Sequence, residues 1–395
     1  MISTTSIQES TLLTCQKEHF FLPDDVTYLN GAYMSPSLRS VDAAGIHAVQ
    51  MKRHPFNVTI DHFFNPLVEV RKHFSQLINN PEPNRIVTIP SVSYGMATVA
   101  NNIQISKGEN IVLIGEQFPS NVYVWQNLAA KNEAEIITVS APDSLENRGK
   151  IWNERLLEAI NSKTKLVAMS HVHWADGTWF DLEAVRKRSH EVGALLVLDN
   201  TQSLGALDFD VQKIQPDALV SAGYKWLLGP YSLGVAYYGE AFDGGKPIEE
   251  SWFNRYKSED FKNLVNYEDK YQPGAWRYQT GEASNFALIP MLIESLKALN
   301  HWNPKNFQAY CKSITERPLA ALQDMGCWVE DVNFRSSHLF GVRLPKGVSL
   351  EALKQKLADE KIYVSLRGEA VRVAPSVYNE EKDLWHLVEV LKGFV

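Results

Sequence analysis

The chain reads as an α/β protein with a large domain on a mainly parallel sheet of seven strands and a smaller α/β domain at its C-terminal end. Three observations predict this. Between about residues 85 and 240, short β-branched apolar runs alternate with amphipathic segments, the pattern of βα units. The runs are almost continuously apolar, as in strands covered on both faces. After a polar, aromatic-rich stretch from about 240 to 284, strands and helices alternate again to the end. At 395 residues the chain is too long for one small core, and a soft prior of ~150 residues per domain gives two or three.

Taken in order, the strands are IVTI (86–89), IVLIG (111–115), EIITV (135–139), KLVAMS (165–170), ALLVLD (194–199), ALVSAG (218–223) and LGVAYYG (233–239). The clearest helix is 182–193, with Leu182, Val185 and His190 or Val192 at helical spacing and Gly193 at the C-cap position. A second helix is expected from Phe286 to Leu299. Beyond it, SHLFGVRLP, YVSLR and VRVAP alternate with SLEALKQKLADEKI and EEKDLWHLVEVLKG. The first 30 residues hold too little apolar sequence to fold alone and are expected to pack on the small domain or the site. The expected division is 1–30, 31–290 and 291–395.

Lys plus Arg at 39 against Asp plus Glu at 46 gives −7, so no basic excess points to nucleic acid or acidic lipid. Cys15, Cys311 and Cys327 form no CxxC pair, which argues for a reducing cytosol and against a disulfide framework. No run approaches the ~18 apolar residues of a membrane span. Neither GxxxxGK followed by Ser or Thr nor GxGxxG occurs, which argues against nucleotide triphosphates and dinucleotides.

In an open α/β sheet, ligands collect beyond the carboxyl ends of the strands. Asp199 and Lys225 end or follow consecutive strands there, about one βα unit apart. A lysine on an apolar floor is a usable amine for a Schiff base. A carboxylate nearby suits the pyridinium nitrogen of pyridoxal 5′-phosphate (PLP). Equally, Asp199 could cap a helix and Lys225 be a solvated loop lysine. Ser91, Ser93 and Gly95 stand between a strand and a helix, where free N–H groups favour a small monophosphate or where a serine simply caps the helix. Phe118, with Asn121 one turn on, offers a face for a planar cofactor or a core aromatic closing the sheet. His171, His173 and Asp176 alternate as metal ligands can, yet no third ligand of recognisable spacing follows, so no metal is expected and a site wall fits the run.

LLVLDNTQSLGAL followed by VSAGYKWLLGPYSLGVAYYG resembles the class V aminotransferase group of PLP enzymes with fold type I architecture. That group includes cysteine desulfurases, selenocysteine lyases, kynureninases and isopenicillin epimerase-like proteins, and the resemblance spans nearly the whole chain. It implies that Lys225 bonds the cofactor, Asp199 meets the pyridine nitrogen and Gln202 lies near the phenolic oxygen. Tyr224 looks like the phosphate-binding tyrosine of kynureninases, Val92 and Ser93 like the phosphate turn, and Phe118 like the stacking aromatic, with Asn121 and Ser221 beside the cofactor. WRYQTGEASNF resembles the segment that reaches a neighbouring subunit's phosphate, which implies a homodimer with Thr280, and Trp252 near it, at the interface. SLRGEAVRVAPSVYN resembles the substrate-carboxylate segment, with Arg372 gripping a small amino acid and Arg367 at the entrance. Asn30 and Gly31 in YLNGAYMSP, together with His173, are expected in the substrate pocket. The implied activity is transamination or β-elimination and cleavage; epimerisation or a non-catalytic binding module are the alternatives.

Three departures separate this chain from the subgroups. No cysteine stands on the loop before Arg372, where persulfide-forming desulfurases place one. Trp174 replaces a frequent desulfurase Asn, and Gln202 a frequent kynureninase His.

Overall fold

The computed structural model describes residues 13–395. Strand β1 (Thr27–Tyr28) is followed by helices α1 (Arg39–Met51) and α2 (Ile60–Leu77). The large unit continues with β2 (Ile86–Ile89), α3 (Val92–Ala100), β3 (Asn110–Ile114), α4 (Tyr123–Lys131), β4 (Glu135–Val139) and α5 (Arg148–Ala159). It then runs through β5 (Thr164–Met169), α6 (Leu182–Glu191), β6 (Leu195–Asp199), α7 (Val211–Ile214), β7 (Ala218–Ala222), β8 (Gly234–Tyr238) and α8 (Leu288–Trp302). The remainder comprises α9 (Pro304–Asp324), β9 (Trp328–Val329), β10 (Phe340–Arg343), α10 (Leu350–Asp359), β11 (Ile362–Tyr363), β12 (Ser365–Arg367), β13 (Ala370–Val373) and α11 (Glu381–Lys392).

The seven strands form one sheet in the order β2-β8-β7-β6-β5-β3-β4. Only β8 runs against the others, pairing antiparallel with both β2 and β7. The sheet is therefore mainly parallel, and its inner strands are buried on both faces, which is why they read as unbroken apolar runs. From β4 at one edge the chain crosses back to β5 on the far side of β3. That reversal makes a topological switch point, where the carboxyl ends of β3 and β5 splay and leave a crevice.

Local sequence sets the helix ends. Asp181 caps α6 by accepting from Ala184 N at 3.0 Å, and Gly193 follows with φ +74°. Ser91 caps α3 through Tyr94 N at 3.2 Å, so the helix N-terminus opens onto the crevice.

In the C-terminal unit, β12-β13-β10-β9 form an antiparallel sheet, and β1 pairs with β11. Residues 13–30 of the N-terminal segment thus reach the small unit; residues 1–12 lie outside the described part. The boundary expected at 290 falls inside α8, which packs on α1 and α2 of the large unit. An amphipathic stripe announces a helix without naming the surface it covers. The chain turns out of the large unit at Asn303, whose φ is +65° and whose side chain caps α9. Among the described residues no helix is long and apolar enough to cross a membrane.

Candidate active site

A cavity of ≈ 350 Å³ opens at the carboxyl ends of β3, β5, β6 and β7. Its wall includes Ser91, Val92, Ser93, Phe118, Trp174, Asp199, Gln202, Tyr224 and Lys225. This lies within the ~300–1,000 Å³ typical of small-ligand sites.

Lys225 sits in the turn after β7 and is only 6% exposed. Its Nζ lies 5.4 Å from the Phe118 ring centroid and 5.6 Å from that of Tyr224. Burial pulls its pKa down to about 8; Asp199 opposes the shift, and Arg372 and Arg367 reinforce it. The turn is held by close backbone approach: Gly205, at φ +99°, leaves no room for a Cβ, which would lie 2.1 Å from the Trp226 carbonyl oxygen.

Asp199, the last residue of β6, accepts from Thr201 N at 3.1 Å. The Thr201 hydroxyl in turn accepts from Ala222 N at 3.1 Å, tying the end of β6 to the end of β7. This short chain of bonds fixes carboxylate and amine relative to each other. Burial raises the Asp199 pKa, partly offset by the Thr201 donors and the Lys225 charge.

At the other end, Val92 and Ser93 open α3, and the Ser93 hydroxyl donates to Ser120 Oγ at 3.0 Å. Free N–H groups, hydroxyls and the helix dipole converge there, a cradle for a phosphate. Gln202 is locked: Trp226 Nε1 donates to its Oε1 at 2.9 Å, and its Nε2 donates to Ala32 O at 3.1 Å. Tyr224 rests on Tyr231, with centroids 4.6 Å apart. Phe118 is 42% exposed and meets the edge of Trp174 at 5.5 Å. Burial alone does not hold a phenylalanine in so open a position.

On the small-unit side, Arg372 is buried. Its Nη1 donates to Trp174 O at 2.9 Å and its Nη2 to Ser365 Oγ at 3.2 Å, while Ser365 donates to Asn30 Oδ1 at 2.8 Å. Gly31 lies beside them, where an added Cβ would come 3.1 Å from the Tyr378 hydroxyl. Arg367 stands over the Trp174 ring at 5.4 Å.

Eight of the expected residues are not on the wall of this cavity: Arg372, Arg367, Asn30 and Gly31, described above, His173 and Ser221, and Thr280 and Trp252, which are expected at a neighbouring subunit's cavity. His173 is fully buried off the cavity wall, with Nδ1 3.0 Å from Asp176 Oδ1 and Nε2 3.2 Å from Glu116 O, so it props the turn behind Phe118 and is not in the substrate pocket. Ser221 points away: its hydroxyl donates to Ala222 O, and Ala222 is the wall residue. Asn121 reaches the wall, but Gln117 and Trp125 occupy its amide. Trp252 packs on Phe64, Phe253 and Phe261, and Thr280 is buried away from this chain's own cavity. No group of three or more His, Cys, Asp or Glu among the described residues is arranged to hold a metal ion. Sequence reasoning missed Gln117, Ser120, Tyr231 and Ser232. The signal for the last two was the GPYSLG loop, whose turn puts Ser232 at φ +64°.

A buried amine and a buried carboxylate fixed across one cavity, an open aromatic face and a helix N-terminus with hydroxyls make a donor set that fits PLP. Fold and site together define a fold type I PLP enzyme. A family model described as "Aminotransferase class-V" matches residues 56–385, and the chain belongs to that family. It is a PLP-dependent enzyme, with pyridoxal 5′-phosphate as its cofactor.

Among related proteins, the "Uncharacterized aminotransferase YcbU" of Bacillus subtilis (strain 168) is 26% identical over 321 residues, 81% of each chain. A cysteine desulfurase of Shigella sonnei (strain Ss046) is 31% identical over 259 residues, 65% of this chain and 61% of that protein. Among solved structures, the apo cysteine desulfurase of Thermococcus onnurineus NA1 superposes with a TM-score of 0.81 at 21% identity, covering 96% of this chain and 97% of that one. A mutant of C-DES with glycine covalently linked to its PLP cofactor gives 0.86 at 18% identity, covering 97% and 100%. These two likenesses show the shared fold.

Proposed function

We propose that this enzyme is a C–S lyase that cleaves a small α-amino acid at Cβ by β-elimination, sulfur leaving on the product. The observation that carries the reading is the fixed pair Lys225 and Asp199 across a cavity with no cysteine on its wall among the described residues. Cys311 is fully buried, with its thiol pKa pushed up by burial, and Cys15 and Cys327 also lie off the cavity. No thiol is therefore placed to take up sulfur from the substrate. Relatives named cysteine desulfurase support chemistry at a carbon–sulfur bond.

Bound PLP supplies an electron sink that acidifies the substrate α-proton. Lys225, with its lowered pKa, removes that proton near neutral pH. Asp199 would keep the ring nitrogen of the bound cofactor protonated, Phe118 would stack on its ring and exclude water, and the α3 N-terminus with Ser93 and Tyr224 would hold its phosphate. Arg372 grips the α-carboxylate through its guanidinium fork. Loss of the α-proton with cleavage of the Cβ–S bond would release thiolate, and hydrolysis of the resulting enamine by water would give pyruvate and ammonia.

Incubation with L-cysteine or L-cystine tests this. Pyruvate and ammonia in equal amounts, with sulfide or a persulfide product, support the reading. Alanine with sulfur transferred to a protein thiol, or an amino group left on the cofactor, overturns it.

We also infer a cytosolic homodimer in which the segment around Thr280 serves the neighbouring cavity. Thr280 and Trp252 standing away from their own cavity supports the dimer, and three free cysteines support a reducing compartment. A strictly monomeric mass in solution would refute the dimer.

A further inference from the structure

His173 lies behind the cavity wall, and its hydrogen bonds fix how many protons its ring carries. It is completely buried, and the polar atoms within hydrogen-bond distance of its two ring nitrogens are all acceptors. Nδ1 lies 3.0 Å from Asp176 Oδ1, while Nε2 lies 3.3 Å from Gly115 O and 3.2 Å from Glu116 O. A neutral imidazole has one N–H and one bare nitrogen. In either neutral tautomer, a lone pair would face a carboxylate or two carbonyls in a dry interior. Only the imidazolium, with an N–H on each side, satisfies both. The other two buried histidines differ: His171 Nε2 accepts from Trp179 Nε1 at 2.5 Å, and His338 takes Gln308 Nε2 at 2.7 Å on Nδ1 while its Nε2 faces Gln202 O. Each of these has one accepting nitrogen and is neutral.

The surroundings of His173 supply its counter-charge. The same Asp176 oxygen accepts from Thr178 N at 3.1 Å and Thr178 Oγ1 at 2.9 Å, and Oδ2 pairs with Arg148 Nη2 at 2.7 Å. Burial acts to raise the Asp176 pKa, but His173 and then Arg148 outweigh it and hold the carboxyl well below the usual range. Glu330, from the small unit, lies 3.6 Å from Arg148 Nη1, with its own carboxyl pushed up by burial. The Trp152 ring meets the imidazole edge to face at 5.0 Å.

The turn held by this ring is strained. Glu116 has φ +53°, in the left-handed region that favours glycine, and its carbonyl also accepts from Trp174 Nε1 at 2.6 Å. Gln117 is tied to Ala168 O at 2.9 Å, and the next residue is Phe118, on the cavity wall and 42% exposed. The direction in which Phe118 leaves the chain is therefore set by bonds to residues 115–117 more than by packing of its own ring.

We propose that His173 is held as an imidazolium and is a positioning residue, setting Phe118 against the ring of bound PLP through the Gly115 and Glu116 carbonyls. A charge-assisted N–H on a carbonyl is the stronger kind of bond for holding a strained turn. The role rests on PLP as cofactor and is independent of the C–S lyase reading.

The first test is nitrogen NMR of the holoenzyme with ring-labelled histidine at neutral pH. One solvent-protected histidine is expected to carry hydrogens on both ring nitrogens, and two others on one only; three singly protonated buried rings overturn the proposal without any variant. Asp176→Asn keeps an acceptor but removes the counter-charge, so the doubly protonated signal should disappear; its survival overturns the pairing. The second test is the PLP dissociation constant, read from the absorbance of bound cofactor, in wild type, His173→Gln, Phe118→Leu and the double variant. His173→Gln should weaken PLP about tenfold when Phe118 is present, the share of a well-placed aromatic contact, and less than about twofold in Phe118→Leu. Equal weakening in both backgrounds overturns the positioning role, because His173 would then support the fold at large.

Discussion

The pKa of Lys225 gives the sharpest expectation, because it follows from burial and can be read on a single amine. An ordinary lysine stands at 10.5, while burial brings Lys225 to about 8. At pH 8 an ordinary lysine is about 0.3% free amine, whereas Lys225 is about half, a gain of roughly 150-fold in the reactive form. The sign follows from the charge type: desolvation disfavours the ammonium, so the proton is lost at lower pH and reactivity rises through pH 8 and levels off above it. The assay is the rate at which cofactor-free protein captures PLP, quenched with borohydride and counted as covalent adduct from pH 6 to 11, with Lys225→Ala as blank. A midpoint near 8 is expected. A midpoint above 10 would refute the reasoning, since it would mean that the amine is solvated and the cavity does not desolvate it. Asp199 is the one carboxylate that raises this pKa, so Asp199→Asn should move the midpoint below 8, and Arg367→Gln should move it up.

Asp199→Ala should still form the adduct but lose at least about 100-fold in kcat, as electrostatic groups of this kind contribute roughly 3 kcal/mol or more; near-native turnover would remove the carboxylate from the mechanism. Arg148 pairs with Asp176 at 2.7 Å and Glu330 at 3.6 Å inside the protein, so Arg148→Met leaves two buried carboxylates short of a partner and should cost about 3–5 kcal/mol in urea unfolding. Gly205→Ala should cost at least about 2 kcal/mol and slow PLP capture, because the new methyl meets the Trp226 carbonyl one residue from Lys225; an unchanged midpoint in urea would contradict the geometry.

The central strands were legible because burial on both faces leaves an unbroken apolar signature, as in IVLIG and ALLVLD. The same burial hid the direction of β8: a strand covered on both sides carries the same residues whichever way it runs. Lys225 and Asp199 stood out because Asp199 ends one strand and Lys225 follows the next, where polar residues have little structural reason to cluster. His173 was misread for a physical reason. HVH does put His171 and His173 into the interior together, but His171 lies against Trp179 with its pKa pulled down to about 3 by burial, and His173 is taken up by Asp176 and the 115–116 carbonyls. Alternation reports which side of the chain a residue takes and is silent on whether cavity or core lies there. Thr280 and Trp252 lie away from this chain's own cavity, as the homodimer proposed above requires.

Trp174 shows how the two units share one site. Its indole Nε1 donates to Glu116 O at 2.6 Å, the same carbonyl that His173 Nε2 faces, and Glu116 holds φ +53°. That pair of bonds fixes the turn from which Gln117 and Phe118 emerge. The backbone oxygen of Trp174 accepts from Arg372, and its ring carries Arg367. A single residue of the large unit therefore sets the aromatic wall of the cavity and both guanidinium groups arriving from the small unit. An asparagine there has no ring to meet Phe118 or to support an arginine stem. The departure seen in the sequence at this position is thus a change in how this side of the site is built: the indole meets Phe118 and supports Arg367, and its backbone oxygen holds Arg372.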